Sequence, residues 1–296
     1  MEYIPAKHLL HRNKSTEWFG TDHTMNLYRG CCHGCLYCDS RSSCYQNPDF
    51  DQVKAKMDAL RILRDDLARK VKPAFIAMGS MSDPYNPFEE ELQLTRHALE
   101  LIDAYQCGVA VATKSGMITR DLDLYQSIQS HSPVICKLTV TTTDEVLAAK
   151  VEPHAPTPGR RLEALEALSQ AGVFAGVLLM PVLPFLEDSP ENVLSVVDSA
   201  ARAGARFVYA TFGVTMRDGQ REYFLRSLDR AFPGERVGEK YRRQYGSRYN
   251  CVSPRAKELW EVFSARCQEL GLLYEMRHII SAATRGHGDR QLSFFD

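Results

Sequence analysis

The sequence predicts an α/β fold: a partial, open (βα)6 TIM-like barrel with a small helical extension on its C-terminal side. Three observations lead there. Short, nearly continuous apolar runs alternate with amphipathic helical patterns between about residues 20 and 215, as expected of parallel strands covered on their faces by crossover helices. About six such units can be counted, fewer than the eight that close a barrel. Beyond Thr215 the rhythm changes to a basic, mostly helical stretch.

The elements follow in order. Residues 25–28 read as the first strand. Residues 74–78 read as a buried strand between Pro73 and Gly79. Asn86-Pro87 then starts a helix with acid in its first turn and with Phe88, Leu92, Thr95, Leu99 and Ile102 on one face. Residues 109–112 are a strand, followed by a helix from about Asp121. Residues 134–140 are a strand. Thr157-Pro158 starts a helix carrying Leu162, Leu165 and Leu168, with Gly172 just past its end. Residues 175–180 form the next strand, Ser189-Pro190 opens a helix that stops at Gly204, and residues 207–210 form the last strand. The domain reading is 1–215 for the barrel and 216–296 for the extension, which ends in a terminal peptide, 291–296.

Composition narrows the function classes. The chain has 296 residues, 44% hydrophobic and 25% charged, with a formal net charge of −1, so no global field draws it to nucleic acid or membrane. Its most apolar stretch, residues 173–186, is too short to span a bilayer and is broken by Pro181 and Pro184. The first residues lack the apolar core of a signal peptide. Nine cysteines, four of them crowded into residues 31–38, do not form a disulfide scaffold. The expectation is a cytoplasmic protein with reduced thiols.

Cys31, Cys35 and Cys38 are spaced C-x3-C-x2-C. Thiolates suit iron–sulfur clusters and zinc. Three local thiolates leave one iron of a [4Fe–4S] cluster open, and an open metal position is where chemistry occurs. The competing assignment is structural zinc on Cys32, Cys35 and Cys38 with Cys44 or His33, although zinc sites usually pair two distant knuckles and no second knuckle is present. After the next apolar runs come Gly79-Ser80-Met81-Ser82-Asp83, whose small residues allow close backbone approach to a ligand, then Lys114 and Thr139.

The run from Met25 through Cys31, Cys35, Tyr37 and Cys38 to Arg41 resembles the radical S-adenosylmethionine (SAM) proteins grouped with spore photoproduct lyase. The resemblance spans roughly residues 20–215. It implies a barrel of the radical SAM type in which Cys31, Cys35 and Cys38 hold a [4Fe–4S] cluster and SAM chelates the open iron. Reduction would cleave SAM to a 5′-deoxyadenosyl radical that abstracts hydrogen from a substrate. It also implies that Tyr37 packs near adenine, that Gly79, Ser82 and Asp83 form the end receiving the SAM amino group, that Lys114 contacts its carboxylate or ribose, and that Thr139 lies near the ribose. Glu152-Pro153 and Arg161 match a further family pattern. Two positions depart from the lyase: Ser80 stands where it has a hydrogen-donating cysteine, and Asp39 where it has a tyrosine. Cys251 is the candidate replacement donor.

The implied reaction is photolyase-like repair of DNA lesions. The alternatives are a radical SAM enzyme acting on a small molecule, RNA or protein, and a non-catalytic zinc or cluster protein that binds nucleic acid. An external electron donor is expected, because Cys107, Cys136, Cys251 and Cys267 are scattered. Residues 217–255 carry ten basic residues against five acidic ones, interleaved with Tyr223, Tyr241, Tyr245 and Tyr249, a pattern suited to phosphates and stacked bases. The tail Gln291-Leu292-Ser293-Phe294-Phe295 resembles the peptide by which bacterial repair proteins dock on the sliding clamp.

Overall fold

Six parallel strands succeed one another across one sheet in the order in which the chain makes them. The computed structural model describes residues 1–70 and 72–287. The strands are β1 (His11–Arg12), β2 (His23–Met25), β3 (Phe75–Met78), β4 (Gly108–Thr113), β5 (Val134–Thr139), β6 (Ala175–Leu179) and β7 (Phe207–Ala210). They lie in sequence order across a seven-stranded sheet. All neighbours from β2 to β7 are parallel, and β1 adds an antiparallel edge. The sheet is not closed, since β1 and β7 occupy opposite edges.

The helices are α1 (Ala59–Ala68), α2 (Leu94–Ala104), α3 (Leu122–Gln129), α4 (Glu145–Val151), α5 (Pro158–Gln170), α6 (Pro190–Arg202), α7 (Gln220–Ala231), α8 (Val237–Tyr245), α9 (Ala256–Glu269) and α10 (Met276–Thr284). Local chemistry sets their starts. Thr157 and Ser189 each accept an amide of the first turn ahead of a proline, and Asp144 caps α4. Gly172 adopts a positive φ just past α5, as its position predicts.

Two expected elements are corrected. The first strand is β2, and the chain leaves the sheet at Asn26, whose side chain binds Ser80 and the Met81 amide. Tyr28–Arg29 belongs instead to a small sheet with Lys54–Lys56 and Glu2–Ile4. The helix after Pro87 is broken: Glu89–Leu92 ends at Gln93, which has φ +49°, and α2 begins anew. The cause is the buried Glu89 carboxylate. It captures the Thr95 amide at 2.8 Å and accepts from Tyr28 and Arg120, diverting an amide from the helical ladder.

Three apolar cores result. The largest packs the crossover helices on the sheet and includes Leu259, Phe263 and Cys267 of α9, which lies against α6. A second joins Cys35, Leu36 and Tyr37 to α7, α8 and the antiparallel ribbon of β8 (Gly213–Thr215) and β9 (Asn250–Val252). The third fills the lumen floor with Phe19, Phe75, Phe207, Ile279 and Ala283. There the Phe19 amide meets Met276 Sδ at 3.3 Å. Among the described residues no helix is long and apolar enough to cross a membrane. The tail peptide from Gln291 to Phe295 lies outside the described residues.

Candidate functional site

The C-terminal ends of β2 to β5 deliver the sequence-predicted residues to one end of the sheet. Gly79 follows β3 with φ +89°, and a Cβ there would lie 2.0 Å from the Ala112 carbonyl oxygen of β4. Only glycine allows the two strand ends to approach so closely. Gly30 plays the same part before the cysteines, where a Cβ would meet the Gln52 carbonyl oxygen at 2.4 Å. It lets the Cys31 amide donate to the Phe50 carbonyl at 2.8 Å. The loop is further hung from the end of α4 by Leu36 N to Val151 O, 2.9 Å, and by His154 N to His33 O, 3.1 Å.

Asp83 ties this loop to the strand ends. One carboxylate oxygen faces His33 Nε2 at 2.9 Å and accepts the Lys114 amide at 2.9 Å. The other accepts Thr113 Oγ1 at 2.6 Å and the Tyr85 amide at 2.9 Å. Burial alone would raise its pKa, but the hydrogen bonds from His33, Thr113 and Lys114 hold it at about 2. Ser82 is likewise engaged, donating to the Tyr28 carbonyl at 3.1 Å. Both side chains named from sequence for ligand contact are spent on holding the protein's own backbone and loop.

A second buried network lies beneath Tyr37. Its hydroxyl donates to Glu152, which is paired with Arg161 at 2.5 Å and with Lys114 at 3.7 Å. Burial would raise the Glu152 pKa, and the Lys114 and Arg161 cations bring it below the usual carboxylate value. Burial would lower that of Lys114, and Cys35 and Glu152 hold it above the ordinary lysine value. Arg161 also donates to the Thr139 carbonyl at 3.0 Å, carrying the network to the end of β5. Lys114 Nζ sits 5.5 Å from the centre of the Tyr37 ring.

The nine cysteines are all free. Burial pushes up the thiols of Cys31, Cys35 (to about 12) and Cys38, so thiolates here need a cationic partner. Soft thiol donors, two of them, Cys35 and Cys38, beside the buried Lys114, suit an iron–sulfur cluster, in which each iron takes one thiolate. Among the described residues no three His, Cys, Asp or Glu side chains form a single-ion site, and His33 Nε2 is committed to Asp83.

Above this end opens a cleft of about 680 Å³, lined by Tyr37, Cys38, Ser80, Met180, Phe212 and Trp260 among others. Cys251 borders it on β9, but its side chain is 1% exposed, packs in the second core and donates to the Arg248 carbonyl at 3.7 Å. The tyrosines expected to stack on bases divide. Tyr241 and Tyr245 are buried core residues and Tyr249 is 44% exposed. Sequence reasoning named His33 only as a zinc ligand, gave Thr113 no role, and missed Glu187. The last is a buried carboxyl accepting from the Leu183 amide and bonded to Thr141, and burial raises its pKa to about 8.

A model of the Radical SAM superfamily matches residues 25–197. The uncharacterized protein Rv2578c of Mycobacterium tuberculosis is 34% identical over 75% of this chain and 67% of its own length. The uncharacterized protein MJ0683 of Methanocaldococcus jannaschii is 30% identical over 57% of this chain and 63% of its own. Among solved structures, a spore photoproduct lyase variant with bound AdoMet and dinucleoside spore photoproduct aligns with 90% of this chain and 78% of that one (TM-score 0.66, 15% identity). The radical SAM methyltransferase TsrM of Kitasatospora setae, with cobalamin and a [4Fe-4S] cluster, aligns with 86% of this chain and 52% of that one (TM-score 0.53, 12% identity). At these identities the structural matches speak to fold.

Proposed function

Because this chain belongs to the radical SAM superfamily, enzymes whose members bind a [4Fe–4S] cluster and SAM, we propose that Cys31, Cys35 and Cys38 are its cluster ligands. The observation that carries this is a C-x3-C-x2-C loop of free thiols that Asp83, after β3, ties through His33 to Thr113 and Lys114 at the end of β4. Tyr37, Gly79, Lys114 and Thr139 form the SAM end in this reading. Asp83 and Ser82 act one step back, by positioning His33, Lys114 and the strand ends. When bound, the cluster and SAM would supply radical chemistry, given an electron from an external donor. The chain's own part is to bind, orient and keep water out. Lys114 supplies positive charge beside the thiolates, and Tyr37, Met180, Phe212 and Trp260 give the cleft apolar walls.

DNA carrying a lesion is the substrate class we favour. The fold neighbour with a bound dinucleoside photoproduct supports it. So do Arg226, Arg230, Lys240, Arg243 and Arg248, which are exposed and without an ion-pair partner among the described residues. A lesion would enter the cleft flipped out of its helix, at a cost of a few kcal/mol. A second reading, a different substrate for the same radical, is favoured by Ser80 and by the buried Cys251. No thiol in the lyase's donor position serves the cleft, so the lyase's own hydrogen return is not available.

Anaerobic reconstitution tests the chemistry. The protein should turn brown, absorb near the visible thiolate–iron bands and release 5′-deoxyadenosine from SAM under reduction. Alanine at Cys31, Cys35 or Cys38 should abolish both. A colourless protein that releases none would refute the enzyme reading. Failure of both lesion-bearing and intact DNA to bind at low salt would remove DNA as substrate.

A further inference from the structure

Among the described residues, Asp39 is the one charged side chain that lines the cleft above the cofactor end. It follows Cys38 directly, so a group that it holds lies beside the cysteine loop. The C-terminal extension fixes its place. Gln220 donates to the Tyr37 carbonyl at 3.0 Å, and the Ser43 amide donates to the Asp218 carbonyl at 3.1 Å. Arg217 and Tyr45 stand beside the carboxylate. Arg217 Nε is 3.0 Å from Asp39 Oδ1, while its other two nitrogens donate to Cys44 Sγ at 3.6 Å and to the Tyr249 hydroxyl at 3.1 Å. The Nε–Oδ1 contact is off line. Both atoms are buried, and neither has a hydrogen-bond partner among the described residues. The side chain is nevertheless 35% exposed, an exposure that Oδ1 does not carry, which leaves Oδ2 open to the cleft.

The surroundings narrow what Oδ2 can take. The cleft is lined by no Lys or Arg, so it offers a phosphate nothing to bind. An opposite charge 3.0 Å away cancels most of the field that a cationic substrate would need. A neutral N–H donor keeps the benefit of a hydrogen bond to a carboxylate. The walls add a shape. Trp260 lines the same cleft with Tyr37 and Phe212, yet it is 45% exposed. Its ring is braced from behind by Phe263 at 5.8 Å and Tyr274 at 6.0 Å. An exposed, braced aromatic face suits a flat ring stacked on it.

We propose that Asp39 is the specificity-determining residue of the cleft, accepting a hydrogen bond from the ring N–H of a planar, uncharged nucleobase that stacks on Trp260. This rests on the DNA reading above and adds to it the group that selects the base. Phosphates stay outside, near the exposed arginines of α7 and α8. Arg217 is a positioning residue: it turns the carboxylate so that one oxygen faces inward and the other the cleft.

Equilibrium dialysis of the anaerobically reconstituted full chain with SAM tests it. The probes are a single-stranded oligothymidylate and the same strand methylated at every N3, which keeps the charge and the stacking face and removes the ring N–H. Wild type should bind the unmodified strand roughly tenfold or more tightly, because a site built to bond an N–H rejects the analogue without it. Asp39→Ala should lower the unmodified strand to the affinity of the methylated one and erase the preference. Asp39→Asn, of the same shape and with one acceptor left, should keep part of the preference and serves if the Ala variant folds poorly. Trp260→Ala should weaken both strands and keep the preference. A preference of wild-type size in either Asp39 variant would overturn the anchor alone, as would a wild type that binds both strands equally. A wild type that binds neither strand would also overturn the anchor, and failure to bind lesion-bearing DNA as well would take the DNA reading with it.

Discussion

The cofactor end and the open cleft are adjacent and built on opposite rules. At the cofactor end nearly every polar side chain is answered by another part of the protein. Asp83 has four partners, Glu152 has three and Ser82 has one. Across the cleft the walls are mostly apolar, and its lining carries no Lys or Arg. The difference separates two tasks. A fixed cofactor needs a frame rigid before it arrives, because misplacing reacting groups by an ångström is expensive. A substrate gains from a dry, shaped space with few polar anchors.

The comparison can be broken most severely at Gly79. An alanine there would need a left-handed φ and would drive its Cβ into the Ala112 carbonyl, costing at least about 1–3 kcal/mol from backbone strain alone. We expect Gly79→Ala to lower the melting temperature and abolish SAM cleavage. Unchanged melting would mean that the two strand ends are free to part. Next is Asp83→Ala, which frees His33 and the Lys114 amide. By analogy with partners that orient metal ligands, it should cost roughly 10–100-fold in cluster occupancy, read from iron content per chain. Full occupancy would show that the loop needs no tie.

Glu187 gives a smaller and opposite effect. Its pKa in the fold, about 8, lies above the ordinary 4.5. Its favourable contribution is therefore complete below about pH 4.5 and is lost as pH rises toward 8. Gln can keep both contacts, donating to Thr141 and accepting from the Leu183 amide. Glu187→Gln should raise stability above pH 7 by roughly 1–3 kcal/mol and flatten the alkaline side of the melting profile. A steeper loss would mean that the carboxyl is ionised in the fold. The smallest expected effect on catalysis comes from removing residues 291–296. SAM cleavage should persist at the full-length rate, and its loss would tie the terminal peptide to the site.

The strands were legible because buried parallel strands leave uninterrupted apolar runs. Residues 207–210 coincide with β7, and β3, β4, β5 and β6 differ from expectation only at their ends. The break at Gln93 was not legible. It depends on Glu89 reaching Tyr28 and Arg120, which are distant in sequence. The cysteines announced themselves by spacing, whereas the His33–Asp83 pair joins residues fifty positions apart. The tyrosines of α8 carried a usable signal. Val237, Tyr241 and Tyr245 recur every four residues and form the buried face of a helix, a pattern that the basic composition around them obscured.

The lumen floor bears on how the chain is made. Phe19 and Met276, which meet there, are separated by 257 positions, and Gly20 lies against Ile280. On a ribosome adding about 5–20 residues per second, the early strands must wait many seconds for α10. Until then the rings of Phe19, Phe75 and Phe207 face an unfinished seam. The seam closes only when a helix made 257 positions after Phe19 packs against it.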